Sequence, residues 1–284
     1  MMCTNLKKVE FSENSKLRSI ENYAFNSSSI ESLTIPSSLF DFKGMCFGQT
    51  LSLNDIKIIP KNQQNIIYYD NKFILKKSDP MSNNFDTLLL ARRDIENPKI
   101  PAFIERIAQH AFDKCSKIKS IEFSNNSNLK LIGKYSFCLS SIKSINIPSN
   151  VIKIEKSAFS DCKNLKNVEF SSESKLKLID EFAFARSSIE SITLPSEIIR
   201  INKFAFGQCY KLKNVDFLEN SKIETIEDAF SFSKIESLSI PSSIINLKHG
   251  WCSSTNNLNN IKIWLKKDCE NIKYYENKFI IGKS

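Results

Sequence analysis

Apolar residues recur along this 284-residue chain in two phrases that alternate at a fixed spacing. The first phrase, Ala-Phe-x-x-Cys-x-x-Leu-x-x-Val-x-Phe, occupies 158–170 and returns 47 residues later at 205–217. A variant with isoleucine at two apolar positions precedes them at 111–123. The second phrase, Ile-x-x-Ile-x-Ile-Pro or a close variant, lies between copies of the first, as at 142–148 and 189–195. A period of this size predicts a solenoid, in which successive repeats stack and bury one continuous core.

Each phrase contains a short predicted strand. In one copy Leu165, Val168 and Phe170 are apolar, and the last two alternate with polar residues, which buries one face of the strand and exposes the other. Because a crossover and not a hairpin turn follows each strand, neighbouring strands are predicted to be parallel. The predicted strand starts, separated by 23 or 24 residues except between the third and fourth, are Leu6, Ile30, Leu53, Ile95, Ile118, Ile142, Leu165, Ile189, Leu212, Ile235 and Leu258.

The segment between strands predicts a tight crossover. Ile154, Ala158 and Phe159 are spaced i, i+4 and i+5, and Cys162 follows three residues after Phe159. This spacing predicts one helical or 3-10 turn on the convex face that directs the phenylalanine into the core. The phenylalanines predicted to stack as a spine are Phe25, Phe112, Phe137, Phe159, Phe184, Phe206 and Phe230.

Two segments depart from the regular period. Residues 67–92 predict a β-hairpin inserted into the solenoid, because apolar runs flank a turn-rich stretch there. Residues 261–284 begin the same module again, as an incomplete copy. The predicted organisation is a single solenoid over 1–284 with about eleven repeats of 23–24 residues. Neither end has a polar cap, so we expect a fragment of a longer array, or ends that another molecule covers through end-to-end contacts.

The residues of 142–165 resemble the BspA-like leucine-rich-repeat family, whose pattern is roughly Leu-x-x-Ile-x-Ile-Pro-x-x-Val-x-x-Ile-x-x-x-Ala-Phe-x-x-Cys. The likeness extends over nearly the whole chain, and the serine- and lysine-rich phrase at 170–176 is most similar to the protist members. The resemblance implies a right-handed α/β leucine-rich-repeat solenoid with a parallel β-sheet on its concave face. It also implies an adhesive protein of the surface-antigen type, at the cell surface or secreted, that attaches to host tissue or other microbes. The family has no shared catalytic residues.

The eight cysteines are the main candidates for chemistry. Cys115, Cys162 and Cys209 occupy equivalent positions in every second repeat, roughly 10 Å apart at the usual strand spacing. A disulfide requires Cα atoms within about 7 Å, so these cysteines are predicted to form a buried ladder and not to pair with one another. Cys3 holds the same repeat position, and Cys269 is the cysteine most expected to be exposed.

No catalytic, cofactor or metal site is predicted. The sequence has no Cys-x-x-Cys pair or Cys/His cluster for zinc, and no Gly-rich phosphate loop. Its histidines, His110 and His249, lie in corresponding repeat positions, and we expect a structural or surface role for both. No apolar stretch approaches the roughly 20 residues that span a membrane. No signal peptide or anchor is visible, so the sequence leaves the compartment open.

Polar residues on the predicted strands indicate where a partner would bind. The chain carries 40 Lys+Arg and 31 Asp+Glu, a net charge of +9, yet the outward strand positions are slightly acidic. Between 118 and 240 these positions have no lysine/arginine stripe and no row of aromatic residues, which disfavours nucleic acid. They either only solvate a sheet or form a hydrogen-bonding face for a protein or glycan. The candidate binding face is Glu122, Asn146, Asn167, Glu169, Thr193, Asn214, Asp216 and Ser239.

The sequence supports three hypotheses about function. The first is a non-enzymatic interaction module whose concave sheet and inserted hairpin bind a protein or surface glycan. The second is a structural spacer in a larger repeat protein. The third is an intracellular leucine-rich-repeat scaffold, favoured by unpaired thiols and the lack of an export signal. An enzyme is the least favoured class, because packing accounts for the repeated residues.

Overall fold

The computed structural model of the chain describes residues 3–36, 38–42, 46–48, 50–59, 65–218, 220–241, 243–244, 246–247, 254–264, 272–275 and 279–282. The chain divides into two compact units, Met1–Ile142 and Lys143–Ser284. His249, Cys269 and half of the module predicted at 261–284 lie outside the described residues.

The first unit consists of short strands joined by turns. They are β1 Lys8–Glu10, β2 Ser19–Ile20, β3 Ser32–Pro36, β4 Asp41–Phe42, β5 Asp55–Ile59, β6 Ile66–Tyr69, β7 Phe73–Lys76, β8 Thr87–Ala91, β9 Lys99–Ile100, β10 Arg106–Ile107, β11 Glu122–Phe123 and β12 Leu131–Ile132. Parallel ladders join β1 to β3 and β3 to β5, β9 to β11, and β2 to β4. A further parallel ladder runs through β8, β10 and β12.

The second unit continues the same alternation of longer and two-residue strands. They are β13 Ser144–Ile147, β14 Lys153–Ile154, β15 Asn167–Phe170, β16 Leu178–Ile179, β17 Ser191–Leu194, β18 Arg200–Ile201, β19 Asn214–Phe217, β20 Thr225–Ile226, β21 Ser237–Pro241, β22 Asn246–Leu247, β23 Asn260–Trp264, β24 Ile272–Tyr275 and β25 Phe279–Gly282. Parallel ladders join β13 to β15, link β17, β19, β21 and β23 in order, and link the two-residue strands β14 to β22 in order. The last two strands are antiparallel.

Strands β13, β17 and β19 bury every second residue, as the apolar pattern predicts. In β17, Ile192 and Leu194 are buried, whereas Ser191 and Thr193 are exposed. On the other side of the core the two-residue strands β10, β12, β14, β16, β18 and β20 contribute one buried isoleucine each, such as the fully buried Ile201 of β18. A solenoid of parallel strands, typical of leucine-rich-repeat proteins, is therefore confirmed, and its core lies between the two sets of strands.

A stack of phenylalanine rings fills the core beneath the crossovers. In the second unit Phe184 lies 5.1 Å from Phe159 and 5.3 Å from Phe206 between ring centroids, with the rings within 8° of parallel. In the first unit Phe112 stacks on Phe137 at 4.7 Å. These rings are fully buried, so they supply much of the apolar area that holds successive repeats together. The predicted stacking is confirmed for these rings.

The crossovers differ from the prediction of a helical or 3-10 turn, which is wrong for the residues that the structure describes. They consist of successive turns in which the residue before Ala-Phe and the second residue after it have positive φ angles. In the second unit these positions are Ser157 and Asp161, Phe182 and Arg186, Phe204 and Gln208, and Asp228 and Phe232.

The observed turns are favoured because they allow backbone N–H groups of one crossover to donate hydrogen bonds to the next crossover. The N–H of Phe182, Phe184 and Arg186 each donate to a carbonyl of the next crossover, at 3.2, 2.7 and 3.0 Å. A helical turn would direct these N–H groups back along its own segment, leaving the neighbouring crossover unpaired. The i, i+4, i+5 spacing could not distinguish the two conformations, because both place the phenylalanine inward.

The first unit also contains an antiparallel segment where the regular period breaks. Strand β6 pairs with β7, and β7 pairs with β8 with an irregularity between Ile74 and Leu75. Asp70 and Asn71 connect β6 to β7 with φ of 51° and 48°, as the tight turn of a β-hairpin requires. Strand β8 then joins β10 in parallel, so the segment extends the ladder of two-residue strands in this unit.

Candidate functional site

Strand alternation in the second unit directs a row of small polar and acidic side chains outward. We name as the polar face Asn146, Asn167, Glu169, Thr193, Asn214 and Asp216, which are all exposed. The strand register places Asn146 beside Glu169 and Thr193 beside Asp216. The intervening residues, such as Val168 and Ile192, are buried and anchor the strands to the core.

A groove interrupts the polar face between β15 and β17. In the described residues β15 pairs with β13 and β17 pairs with β19, but no backbone ladder joins β15 to β17. The groove has a volume of about 350 Å³, and Asn167, Glu169 and Thr193 are among its lining residues. Phe170 and Leu218 also line it, and the side chain of Leu218 is 42% exposed. The groove therefore combines apolar surface with polar groups that can accept hydrogen bonds.

Two residues of the polar face, Glu169 and Asp216, carry carboxylates. Within the described part of the chain, neither Glu169 nor Asp216 forms an ion pair or a side-chain hydrogen bond. Thr193 lies between their strand positions: it pairs with Asp216 in the ladder of β17 and β19, and it lines the groove together with Glu169. Two carboxylates without an ion-pair partner among the described residues, one of them lining the groove, favour a partner with cationic side chains.

Glu122, the candidate residue of the first unit, has a different environment. Its carboxylate lies 3.0 Å from the ammonium of Lys99, its neighbour in the ladder between β9 and β11. Both side chains are about two-thirds exposed, so the pair adds little stability. The pair does neutralise the carboxylate, and Glu122 therefore contributes less negative potential than Glu169.

Ser239 does not reach the surface, which corrects its assignment to the candidate binding face. Its side chain is 4% exposed, and its hydroxyl accepts a hydrogen bond from the N–H of Phe217 at 2.7 Å. That N–H would otherwise pair with the backbone of β21, whose ladder with β19 extends only from Asn214 to Val215. A short hydroxyl side chain thus replaces a backbone partner, which strict strand alternation does not predict.

The segment predicted as an inserted hairpin borders a second groove, which lies within the first unit. It has a volume of about 750 Å³ and is lined by β5, β6, Asn71 and Arg92. Arg92 donates to the carbonyl of Asn71 at 3.1 Å, and the hydroxyl of Tyr68 donates to the same carbonyl at 2.8 Å. Burial raises the pKa of Tyr68, although Arg92 opposes that shift, so the phenol stays neutral at physiological pH. Tyr68 and Arg92 are among the polar side chains that line this groove.

The cysteine ladder belongs to the core. Cys115, Cys162 and Cys209 are fully buried, as predicted, whereas Cys3 is exposed. Burial raises the pKa of Cys209 to about 11 and also raises that of Cys115, although Arg93 beside Cys115 opposes the shift. Thiols with raised pKa values remain protonated at neutral pH, and a protonated thiol is a poor nucleophile. These buried cysteines therefore contribute to packing.

His110, a further candidate for chemistry, is packed among other side chains. His110 is buried, its ring stacks on Tyr135 at 5.1 Å, and its Nδ1 lies 3.3 Å from a carboxylate oxygen of Asp113. Among the described residues, no group of three or more His, Cys, Asp or Glu side chains is placed to hold a metal ion. The same residues contain no helix of sufficient length and apolar character to cross a membrane.

The sequence predicted the polar positions but not the groove beside them. Phe170 and Leu218 contribute apolar surface to it, and in the repeat pattern they look like an ordinary core residue and an ordinary turn residue. A break between two strands depends on how the repeats stack. No single-repeat pattern signals such a break.

Comparisons with known proteins agree with this architecture. A family model described as "BspA type Leucine rich repeat region" matches residues 1–74, 89–177 and 177–279 in 6 copies. The fold is similar to that of a leucine rich cell surface protein from Faecalibacterium prausnitzii A2-165, with a TM-score of 0.53 and 23% identity over 88% of this chain and 52% of that chain. No curated protein matches the chain.

Two further solved structures share the fold. The pneumococcal vaccine antigen PcpA has a TM-score of 0.54 and 22% identity over 78% of this chain and 54% of that chain. A leucine-rich repeat protein from Eubacterium ventriosum ATCC 27560 has a TM-score of 0.58 and 15% identity, over 92% and 66% respectively. The chain thus spans about half to two-thirds of the length of these proteins. Because the family model covers most of the chain, the protein belongs to the BspA-type leucine-rich-repeat family.

Proposed function

We propose that the protein is a non-enzymatic interaction module that binds a partner protein through the polar face and the groove between β15 and β17. The observation that carries the proposal is that Glu169, which lines a partly apolar groove, and Asp216, which lies beside the groove residue Thr193, have no ion-pair partner among the described residues. A partner with a lysine or arginine beside an apolar side chain would satisfy both features.

An adhesive role at the cell surface is part of this proposal. The solved relatives include one named a leucine rich cell surface protein and one named a vaccine antigen, and a protein in either setting meets external molecules. Strand β6 and the turn residue Asn71 border the groove of the first unit, and Tyr68 and Arg92 there would provide a second contact area. The partner would be a protein of host or microbial origin, with a surface glycan as the competing possibility.

The test uses charge reversal on the polar face. Purified protein carrying Glu169→Lys and Asp216→Lys is compared with the unchanged protein for binding to a panel of purified extracellular-matrix proteins and to a glycan array. The control carries Glu13→Lys and Glu224→Lys, which alter the net charge equally at two exposed residues outside the polar face.

We expect the double variant to lose at least about tenfold in affinity for the bound matrix protein, and the control to change it less than about twofold. Binding that is equal in the double variant, or that occurs only on the glycan array, would contradict a protein partner at this face. Antibody labelling of intact and permeabilised cells tests the surface location. Labelling that requires permeabilisation would instead support the intracellular scaffold.

A further inference from the structure

A small apolar pocket lies on the crossovers of the second unit, apart from the residues that form the polar face. It has a volume of about 90 Å³ and is lined by the rings of Phe182, Phe204 and Phe232 together with Ala185 and Gly207. Phe182 and Phe204 stack at 5.3 Å, and the side chain of Phe232 is 48% exposed. Three aromatic rings therefore surround a space that is open to solvent.

These phenylalanines are not required by the fold. Phe182, Phe204 and Phe232 have φ angles of 56°, 56° and 60°, a region in which a bulky side chain is unfavourable. Phe182 and Phe204 precede the Ala-Phe pair of their repeats. The repeats before and after them have Ser157 and Asp228 at this position, and both of these small polar residues also have positive φ angles. Stacking offsets part of this cost for Phe182 and Phe204, but the half-exposed ring of Phe232 stacks on no other ring among the described residues. The cluster thus has features expected of a binding surface.

A glycine preserves the shape of the pocket. A Cβ atom added at Gly207 would lie 2.9 Å from the Cβ of Phe204 and 3.1 Å from its Cδ1. At the same position the preceding and following repeats have Ala185 and Ser231. Any side chain at Gly207 would displace Phe204, so the glycine allows that ring to lie close over the crossover and form one wall.

The rim of the pocket carries an uncompensated positive charge. The ammonium of Lys203 lies 5.1 Å from the ring centroid of Phe204 and forms no ion pair among the residues that the structure describes. By contrast, Arg186 is neutralised by Asp161, whose carboxylate accepts bonds from Nε at 2.8 Å and Nη2 at 2.7 Å. A bound ligand with a carboxylate next to an apolar group would satisfy Lys203 and fill the pocket together.

We propose that this pocket is a second docking site, which takes a branched aliphatic side chain of a partner protein segment that has acidic residues beside it. The volume selects the side chain: a cavity of about 150 Å³ accepts benzene, so a pocket of about 90 Å³ fits a leucine or valine better than an aromatic ring. Charge selects the flanking residues, because Lys203 beside Phe204 forms no ion pair with any residue that the structure describes.

The probe is an acetylated, amidated peptide of sequence Gly-Asp-Leu-Glu-Gly, titrated into the full chain while backbone amide resonances are followed by NMR. Matched peptides replace the acidic residues by their amides, or the leucine by alanine. The variants are Phe232→Ser, which gives this position a small polar residue as at Asp161, and Lys203→Gln. The control variant is Tyr210→Ser, which removes an exposed aromatic residue that does not line the pocket.

We expect weak, saturable binding with Kd in roughly the millimolar range, as for one short segment. Phe232→Ser and the alanine peptide should each weaken binding at least about tenfold, Lys203→Gln and the amide peptide about threefold, and Tyr210→Ser should leave it unchanged. No saturable shift, equal binding by Phe232→Ser, or an equal loss in Tyr210→Ser would overturn the proposal. Sedimentation with anionic phospholipid vesicles that depends on Phe232, without peptide binding, would assign the pocket to a membrane surface and also overturn it.

Discussion

Replacing Phe184 with alanine tests whether the ring stack holds the second unit together. The side chain is fully buried and stacks on Phe159 and Phe206, so the substitution removes a ring that is entirely shielded from water. The variant loses the free energy that burial of the ring contributes to folding, which is about 2–3 kcal/mol. A cavity of about 90 Å³ that does not collapse costs about 2 kcal/mol more at about 24 cal/mol per Å³. We therefore expect the free energy of unfolding to fall by about 4–5 kcal/mol.

Equilibrium unfolding in guanidinium chloride, followed by circular dichroism, measures this loss. Repeat proteins can unfold in parts, so hydrogen exchange at the amides of Phe184 and Arg186, which bond to the next crossover, reports the local effect separately. The matched control is Phe232→Ala, which removes the same ring from a half-exposed position and should cost less than about 1 kcal/mol. A loss below about 1 kcal/mol for Phe184→Ala, or equal losses for both variants, would refute the stacked-core argument.

Two further predictions concern the thiol ladder and a close backbone contact. Because burial raises the pKa of Cys209 from 9.0 to about 11, the unfolded chain releases this proton first, and stability should fall as pH rises from about 9 to about 11. At pH 8 iodoacetamide should label the exposed Cys3 within minutes but label Cys209 only after unfolding, as mass spectrometry would show; equal rates would contradict the burial. Gly133→Ala should destabilise the first unit by about 1–3 kcal/mol in a denaturant melt, because the added Cβ would lie 2.5 Å from the carbonyl oxygen of Ile107. A loss below about 0.5 kcal/mol would show that the backbone moves to relieve this contact.

Much of the fold could be predicted from the apolar pattern alone. Val168, Ile192 and Val215 were placed inward by their spacing, and all three are buried beside parallel neighbours at the expected register. The inward direction of Phe184 and Cys209 followed from the same reasoning. This succeeds because burial of apolar area dominates the energy of each repeat, and the position of an apolar residue in the period determines whether it can reach the core.

The crossover conformation could not be obtained in this way. A helical turn and the observed turns both bury Phe184, but only the observed conformation lets Phe182 and Arg186 donate their N–H groups to the next crossover. The choice depends on a hydrogen-bonding partner in a neighbouring repeat, about 20 or more residues away in sequence. Ser239 illustrates the same limit, because its buried hydroxyl accepts a hydrogen bond from the N–H of Phe217 on the adjacent strand.

The candidate binding surfaces divide along the same line. The sequence alone determined the period, the family resemblance and the outward direction of polar residues such as Glu169 and Thr193. All three follow from the order of apolar and polar residues along the chain, because apolar side chains are buried and polar ones stay in water. Only stacking of the repeats decided that a groove opens between β15 and β17, and that Phe204 and Phe232 meet around a pocket. Both features are spaces between repeats, and the size of such a space depends on distances that no single repeat contains.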